Sequence, residues 1–179
     1  IRYIKKDVSK KITTRKKFDI IIHAAGIASP FYYSEKPLET LDVAIDGTRS
    51  CLEIARKNMV VNQLRPNKIN EENILKIFEN TPKENYLDVS LGKNCYLDNN
   101  LDITDKRGYL KNLHLAQIIK YSKILPNDKV LHIGGLTGYF SALIGSLCQE
   151  LHVVEENREL FKLLEHNISN TDISNISLF

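Results

Sequence analysis

The stretch that decides the predicted fold is KVLHIGGLTGYF, residues 129–140. The apolar residues Val130, Leu131 and Ile133 predict a buried strand, a glycine-rich turn follows it, and a helix is expected to begin near Gly138. In α/β proteins such a unit holds nucleotide-like ligands, because small residues let a ligand approach the backbone and the first helical N–H groups lack intrahelical partners. Many strand-to-helix turns contain glycine without binding anything, so a purely structural turn stays open as an alternative.

A second strand ending in acidic residues follows in ELHVVEE, residues 150–156. In nucleotide-binding α/β units an acid at this place accepts hydrogen bonds from ribose hydroxyls, which makes Glu155 the candidate, with Glu156 beside it. The alternative is that Glu155 is a solvated acid near the N-terminus of a helix predicted over 157–168, where it would favour the helix dipole. The helical spacing of its apolar residues predicts that four of them face the core, namely Leu160, Leu163, Leu164 and Ile168.

The composition is that of an ordinary water-soluble globular chain. Of the 179 residues, 42% are hydrophobic and 26% are charged. A chain of this length can form one good hydrophobic core or two small ones. No apolar run approaches membrane-spanning length, and the first residues show no secretory segment. The three cysteines, Cys51, Cys95 and Cys148, are far apart, and the five histidines show no metal-ligand spacing. We therefore predict a cytoplasmic protein with reduced cysteines, no membrane association and no metal.

Positive charge is concentrated at the start of the chain. Residues 1–58 contain 12 Lys/Arg against 7 Asp/Glu, a balance of +5, whereas residues 59–179 contain 13 against 15, a balance of −2. A basic segment can contact nucleic acid, but this one has neither interleaved aromatic residues nor a recognition motif. The pattern favours a solvated face over nucleic-acid binding.

The first third of the chain has its own strand and helix signals. Residues 1–8 predict a short strand, and the apolar run FDIIIHAA at 18–25 predicts a central strand of a parallel sheet. Residues 38–57 predict a helix. Gly47 inside that helix weakens it, so we expect either a packing contact or a close ligand at this glycine.

This segment resembles the middle of an extended short-chain dehydrogenase/reductase of the nucleotide-sugar epimerase/dehydratase type. The resemblance lies in IIHAAGIASP, PLET and DGTRSCLEIARK, and it covers residues 1 to about 57. In that family the strand ending in HAAG lines the NAD cofactor and the Asp of a DV pair contacts adenine. The NAD-binding candidates that the resemblance implies are Asp7, Val8, Ala24, Ala25 and Gly26.

Two motifs of that family are absent from this segment. Its pyrophosphate-binding GxxGxxG turn would lie upstream of residue 1, and its catalytic YxxxK pair would come after the helix ending near Lys57. Tyr32 and Lys36 have the right spacing, but they precede that helix and we interpret the match as a coincidence. A segment without both motifs cannot transfer a hydride by itself.

From Met59 onward the pattern changes. The residues MVVNQLRPNKINEENILKIFEN predict a helix capped by Asn70 and ended by Thr81–Pro82, and a polar irregular stretch over 92–108 follows. A second helix is predicted from Asn112 to Leu125. The residues predicted to pack inward are Ile74, Leu75, Ile77 and Phe78 in the first helix, Tyr96 and Ile103 in the irregular stretch, and Leu115, Ile118, Ile119 and Leu125 in the second helix.

Residues 59 to about 178 resemble protein-L-isoaspartate O-methyltransferases, particularly a group of bacterial homologues. The matching features, in order, are MVxNQLRPNK, a Pro-Lys-Glu turn at 82–84, a Y-x-D element at 96–98, VLxIGxxTGYxSALI and a strand ending in VVEE. The resemblance implies a Rossmann-like enzyme that uses S-adenosyl-L-methionine to methylate a carboxylate of a damaged aspartyl residue in a protein or peptide. The cofactor-binding candidates that it implies are His132, Gly134, Gly135, Thr137, Gly138 and Glu155.

The chain also departs from this family. His132 stands where the family usually has Asp, and a neutral imidazole is a weaker acceptor for the cofactor's ammonium than a carboxylate. Leu136 stands where the family has Gly, so any positive φ at this residue would be strained. Residues 106–112, KRGYLKN, do not match the family's Ser-containing substrate loop, and no catalytic residue can be assigned.

The sequence as a whole predicts an α/β protein with a seam near residue 59. A partial Rossmann-type, epimerase/dehydratase-like segment at 1–58 precedes an incomplete Rossmann-like methyltransferase domain at 59–179. Residues 176–179 begin a third strand, and a full domain needs more strands and helices, so we expect a C-terminally truncated domain. The alternatives to methyl transfer are an NAD-dependent epimerase/dehydratase fragment and a non-catalytic product of fusion or truncation.

Overall fold

A computed structural model of the chain describes residues 5–12, 14, 16, 18, 20–27 and 29–179. The chain separates into two compact units, Ile1–Asn58 and Met59–Phe179. Over the described ranges, no helix combines the length and the apolar character needed to cross a membrane.

The first unit is helical where it has regular structure. Helix α1 covers Pro30–Glu35 and helix α2 covers Pro37–Met59, so the helix predicted over 38–57 is confirmed. The expected packing contact at Gly47 is present, because a Cβ placed on this glycine would lie 2.8 Å from the Cε1 atom of His23.

The strands predicted in the first unit are not observed. Residues 18 and 20–25 form no strand, and Ile20 and Ile22 are 77% and 84% exposed, which corrects the prediction of a buried central strand. Residues 5–8 form coil and a turn, while residues 1–4 and 19 lie outside the described part. A strand needs a neighbour for its N–H and C=O groups, and the described residues of this unit contain no strand that could pair with this run.

The second unit begins with short helices and a hairpin. The predicted helix ended by Thr81–Pro82 is confirmed, although Glu71 and not Asn70 precedes its first turn. The irregular stretch over 92–108 contains a two-stranded antiparallel hairpin that the sequence analysis missed. The elements are a π-helical turn (Val60–Leu64), a 3₁₀ turn (Arg65–Asn67), α3 (Glu72–Asn80), a 3₁₀ turn (Lys83–Tyr86), α4 (Val89–Gly92), β1 (Leu101–Asp102) and β2 (Gly108–Tyr109).

A parallel three-stranded sheet follows, as the alternation of strands and helices predicts. The strand order is β3-β4-β5, with Lys129 opposite Glu150 and Leu151 opposite Ile176. The elements are α5 (Asn112–Ser122), β3 (Lys129–Ile133), α6 (Tyr139–Gly145), β4 (Glu150–Val154), α7 (Arg158–Ser169) and β5 (Ile176–Leu178).

Only one face of this sheet is well covered. On β4, Leu151 and Val153 are fully buried, whereas on the edge strand β3 Leu131 and Ile133 are 62% and 75% exposed. The prediction that Leu131 and Ile133 belong to a buried strand is therefore wrong. The side chains of a strand alternate between two faces, and the described helices leave the face of Leu131 and Ile133 open.

Some apolar residues of α5, of α7 and of the loop after α5 are also exposed. Helix α5 ends at Ser122, three residues earlier than predicted, because Lys123 adopts a left-handed conformation (φ 51°). Leu115 and Ile119 are buried as predicted, while Ile118 and Leu125 are exposed. In α7, Leu160, Leu164 and Ile168 are buried, and Leu163 is exposed.

We expect Gly135→Ala to destabilise the second unit. A Cβ at Gly135 would lie 2.7 Å from Val153 Cγ1 and 2.8 Å from Leu164 Cδ2, two side chains with no exposed surface. Overpacking of this kind lowers the free energy of unfolding by about 1–3 kcal/mol. Gly92→Ala is the control, since its Cβ would meet nothing closer than 3.7 Å. Urea denaturation measures both, and equal stability of the two variants would contradict the close packing.

Candidate functional site

The glycine turn connects β3 to α6. Gly134 and Gly138 have φ values of 86° and 100°, which an L side chain rarely adopts. The N–H groups of Gly134 and Gly135 donate to the carbonyl of Val154, at 2.8 and 3.3 Å. These two bonds hold the turn against the end of β4, so the predicted turn and the predicted acid at the end of the next strand lie side by side.

Glu155 is a buried acid and not a solvated one. Its side chain has no exposed surface, which contradicts the alternative interpretation. The backbone N–H of Leu136 donates to Oε2 at 2.8 Å, and the N–H of Asn157 donates to Oε1 at 3.0 Å. Glu155 therefore ties the glycine turn to the start of α7.

Arg107 is the counter-ion of Glu155. Its Nη1 donates to Oε1 at 2.6 Å and its Nη2 donates to Oε2 at 2.7 Å, in a bidentate pair. Burial alone would raise the pKa of Glu155, but the hydrogen bonds from Arg107, Asn157 and Leu136 lower it below its usual range. No sequence pattern pointed to Arg107, because a buried acid requires a cation without indicating which one.

Tyr109, on the same hairpin as Arg107, contacts the other end of the turn. Its hydroxyl oxygen accepts from the N–H groups of Thr137 and Tyr139, at 3.2 and 3.1 Å, and lies 2.9 Å from the Thr137 hydroxyl. Burial raises the pKa of Tyr109 to about 12, so it stays protonated near neutral pH. The hairpin thus contacts both the acid and the far end of the glycine turn.

His132 points away from the turn toward α6. Its Nδ1 lies 3.0 Å from the Ser141 hydroxyl, and its ring meets Phe140 edge to face at 5.4 Å between centroids. Burial lowers the pKa of His132, although the charge of Glu155 opposes this shift. Among the predicted cofactor residues, the structure brings Gly134, Gly135, Thr137, Gly138 and Glu155 together and leaves the His132 side chain outside this group.

A buried lysine lies behind the hairpin. Lys83 is 1% exposed, and its Nζ donates to Asn112 Oδ1 at 3.1 Å. The same atom lies 5.5 and 5.3 Å from the ring centroids of Tyr109 and Tyr139. Burial lowers the pKa of Lys83 to about 8.

The Pro-Lys-Glu turn and the Y-x-D element contact each other. The Tyr96 hydroxyl donates to the Glu84 carboxylate and accepts from the N–H of Lys83 at 3.0 Å. Asp98, by contrast, pairs at the surface with Lys111 at 3.3 Å. Two motifs that the sequence separates by about a dozen residues therefore form one structural unit.

The five NAD-binding candidates lie in the first unit. Asp7 is exposed, and its carboxylate accepts from the N–H and hydroxyl of Ser9. Ala24, Ala25 and Gly26 are exposed, and a Cβ on Gly26 would meet no atom of the described residues within 4 Å. Val8 is half-buried. These residues lie in coil or turn, and the described residues around them contain no strand to arrange them as a cofactor wall.

A cavity of about 350 Å³ lies beside the turn. Gly134 and Glu155 do not line it. It is largely apolar with a few polar groups, and residues that line it include Tyr86, Leu91, Ile103, Thr137, Leu160 and Asn167.

Solved structures with a similar fold are Rossmann-like methyltransferases. One named as a protein-L-isoaspartate O-methyltransferase has a TM-score of 0.58 at 20% identity, covering 69% of this chain and 41% of that one. Another, named as a protein-L-isoaspartate O-methyltransferase from Plasmodium falciparum in complex with S-adenosyl-L-homocysteine, has a TM-score of 0.59 at 14% identity, covering 69% and 62%. At these identities the likeness defines the fold class alone.

The family follows from the sequence comparison. The model of the protein-L-isoaspartate(D-aspartate) O-methyltransferase (PCMT) family matches residues 55–179, and the chain belongs to this family. Protein-L-isoaspartate O-methyltransferase of Koribacter versatilis (strain Ellin345) is 29% identical over 123 residues, which are 69% of this chain and 55% of the relative. The enzyme of Serratia proteamaculans (strain 568) is 26% identical over 122 residues, covering 68% and 59%. The chain spans little more than half the length of these curated relatives.

We expect Leu136→Gly to be more stable than Leu136→Ala by about 1 kcal/mol. Both changes remove the same buried side chain, but φ is 50° at this position and only the alanine keeps a Cβ there. Leu143 in α6 is the control, because glycine should be about 1 kcal/mol less stable than alanine in a helix. Urea denaturation of the four variants measures the difference in stability between glycine and alanine at each position, which should have opposite signs at residues 136 and 143. If alanine were the more stable at both positions, strain at Leu136 would be contradicted.

We expect Lys83→Met to remove a pH dependence of stability. Lys83 has a pKa of about 8 in the folded protein and 10.5 as an ordinary lysine. Between these values the unfolded chain binds more protons, so the free energy of unfolding of the wild type rises with pH, by up to about 3 kcal/mol over the window. Lys76→Met, at an exposed lysine of α3, should leave the slope unchanged. Chemical denaturation at several pH values from 7.5 to 9.5 tests this, and parallel curves for wild type and Lys83→Met would contradict it.

Proposed function

We propose that this chain binds S-adenosyl-L-methionine at the glycine turn and Glu155, and takes part in methyl transfer to a carboxylate of a damaged aspartyl residue in a protein or peptide. The observation that carries the proposal is the buried carboxylate of Glu155 held against the turn by the N–H of Leu136 at 2.8 Å. Family membership supports the same reaction.

The residues present fit the sugar and backbone contacts of such a cofactor. A Cβ on Gly134 would meet only one side-chain atom, Nη2 of Arg107 at 3.2 Å, so a movable side chain and not backbone lies in front of this glycine. Gly135 packs its other side onto Val153 and Leu164, and Gly138 precedes α6 with its backbone in the left-handed region. A ligand could therefore approach the turn closely beside the acid.

The roles of individual residues follow from this fit. Gly134, Gly135, Thr137 and Gly138 would lie against the cofactor at the turn, and Glu155 would accept from its ribose hydroxyls. The imidazole of His132 is hydrogen-bonded to Ser141, so we propose that it lies near the cofactor as a neutral side chain and does not bind it directly. The bound cofactor supplies a methyl group on a sulfonium. The chain contributes by holding it in line with the acceptor oxygen, a reaction that depends mainly on positioning.

The NAD-linked alternative is not favoured by any contact among the described residues. Its candidates Asp7 and Ala24–Gly26 are exposed coil, and the Asp7 carboxylate is already bonded to Ser9. For the location in the cell we propose the cytoplasm, which is supported by three free cysteines.

Titration of the full chain with S-adenosyl-L-homocysteine in a calorimeter tests the proposed site. We expect the wild type to bind and Glu155→Gln to bind at least about ten-fold more weakly, because a hydrogen bond to a charged acceptor is worth about 1.5–3 kcal/mol. Glu156→Gln is the matched control, since Glu156 is exposed and should change affinity less than two-fold.

The reaction is tested separately. Methyl transfer from labelled S-adenosyl-L-methionine should be seen with a peptide that contains one isoaspartyl residue and not with the same peptide containing aspartate. No heat of binding in any folded form of the chain, or unchanged affinity in Glu155→Gln, would overturn the proposed cofactor site.

A further inference from the structure

We propose that Arg107 is a built-in competitor for the ribose site: its guanidinium occupies the acceptor positions on Glu155 that ribose hydroxyls would need, so ligand binding requires this side chain to rotate away. The inference rests on the proposed function, because it concerns the same carboxylate. It goes beyond that function by adding a residue that sets the affinity of the site.

The hydrogen-bonding capacity of Glu155 is fully used. An ionised carboxylate offers about four lone-pair positions, two on each oxygen. Oε1 accepts from Arg107 Nη1 and Asn157 N, and Oε2 accepts from Arg107 Nη2 and Leu136 N. With all four positions filled, this carboxylate cannot accept a further pair of hydrogen bonds while Arg107 stays in place.

The two positions that Arg107 fills suit a pair of neighbouring hydroxyls. The backbone donors Leu136 and Asn157 are fixed parts of the turn and of the residue that precedes α7, so a ligand cannot displace them without disturbing the fold. The guanidinium presents two parallel N–H groups, one to each oxygen. A vicinal diol also presents two donors side by side, so the 2′- and 3′-hydroxyls of a ribose match the positions that Arg107 would release.

Arg107 also stands in front of the glycine that the ligand would approach. Leaving aside Gly134 and its two chain neighbours, its Nη2 is the one atom of the described residues within 4 Å of a Cβ built on Gly134, at 3.2 Å. Rotation of one side chain would therefore free the carboxylate and the face of Gly134 together.

The side chain can move without its hairpin. The backbone of Arg107 is held by its neighbour Thr104, whose hydroxyl accepts from the Arg107 N–H at 3.1 Å and whose N–H donates to the Arg107 carbonyl at 2.9 Å. The Arg107 side chain is 31% exposed, so a path to solvent exists. Several rotatable bonds separate the fixed backbone from the guanidinium.

The opposite role for Arg107 is a positioning residue that orients Glu155 for the ribose. The geometry argues against it, because the two backbone N–H groups already orient the carboxylate. The two roles predict affinity changes of opposite sign, and the experiment uses this difference.

Calorimetric titration with S-adenosyl-L-homocysteine compares the wild type, Arg107→Ala and Arg107→Lys. When a closed state holds about nine-tenths of the molecules, removing it tightens the apparent affinity about ten-fold, and we expect a gain of this order for Arg107→Ala. Arg107→Lys keeps the charge without the fork and should lie between the two. Lys106→Ala, at the exposed neighbouring residue of the same hairpin, should bind as the wild type does.

Two further measurements keep the result interpretable. Circular dichroism shows whether Arg107→Ala folds, and Arg107→Gln, which keeps one amide NH₂ group without charge, replaces it if it does not. A 2′-deoxy analogue of the ligand should gain less from Arg107→Ala than the parent compound does, because it presents only one of the two hydroxyls.

The outcomes separate this inference from the proposed function. Wild-type binding that Arg107→Ala leaves equal or weakens would overturn the role of Arg107 as a competitor and leave the cofactor site standing. No binding by any of the folded proteins would overturn both.

Discussion

The second unit depends on the burial of one carboxylate. Glu155 has no exposed surface, and a buried charge is tolerated only when it is paired and hydrogen-bonded. Four N–H donors meet this demand, and they come from the hairpin at Arg107, the turn at Leu136 and the residue before α7 at Asn157. A single side chain therefore fixes how three segments distant in sequence come together at the end of β4.

An aromatic cluster behind the hairpin accommodates a second buried ionisable group, the amine of Lys83. The ring of Tyr139 meets Phe78, Tyr86 and Tyr109 edge to face, with centroids 5.7–6.5 Å apart. The Nζ atom of Lys83 lies within this cluster, where one hydrogen bond and two aromatic rings take the place of contacts with water. The hydroxyl of Tyr109 meets the N–H groups at the start of α6, so the cluster connects the early helices of the unit to the sheet.

The departures from the family pattern have different physical consequences. Leu136 takes a positive φ in place of a glycine, and the strain is offset because its N–H reaches Glu155 and its side chain is buried. His132 in place of an acid has a neutral partner in the Ser141 hydroxyl, and burial lowers the pKa of its imidazole.

The sequence by itself determined the strands and helices from β3 to β5 and their order. Its periodic apolar residues and glycines predicted β3, β4, β5, α6 and α7, because such signals act over a few residues. It also singled out Glu155 and the Gly134–Gly138 turn as cofactor-binding candidates. The structure brings them together, because the ends of adjacent parallel strands meet at one edge of a sheet. It misjudged the burial of Leu131 and Ile133 and the strand over 18–25, because an apolar run does not say whether another layer covers it. Only the tertiary structure decided that Arg107, 48 residues away in the chain, occupies Glu155, and that His132 turns to Ser141. The partner of a buried charge must lie close to it in space, and a local sequence pattern does not show which distant residues come close in the folded protein.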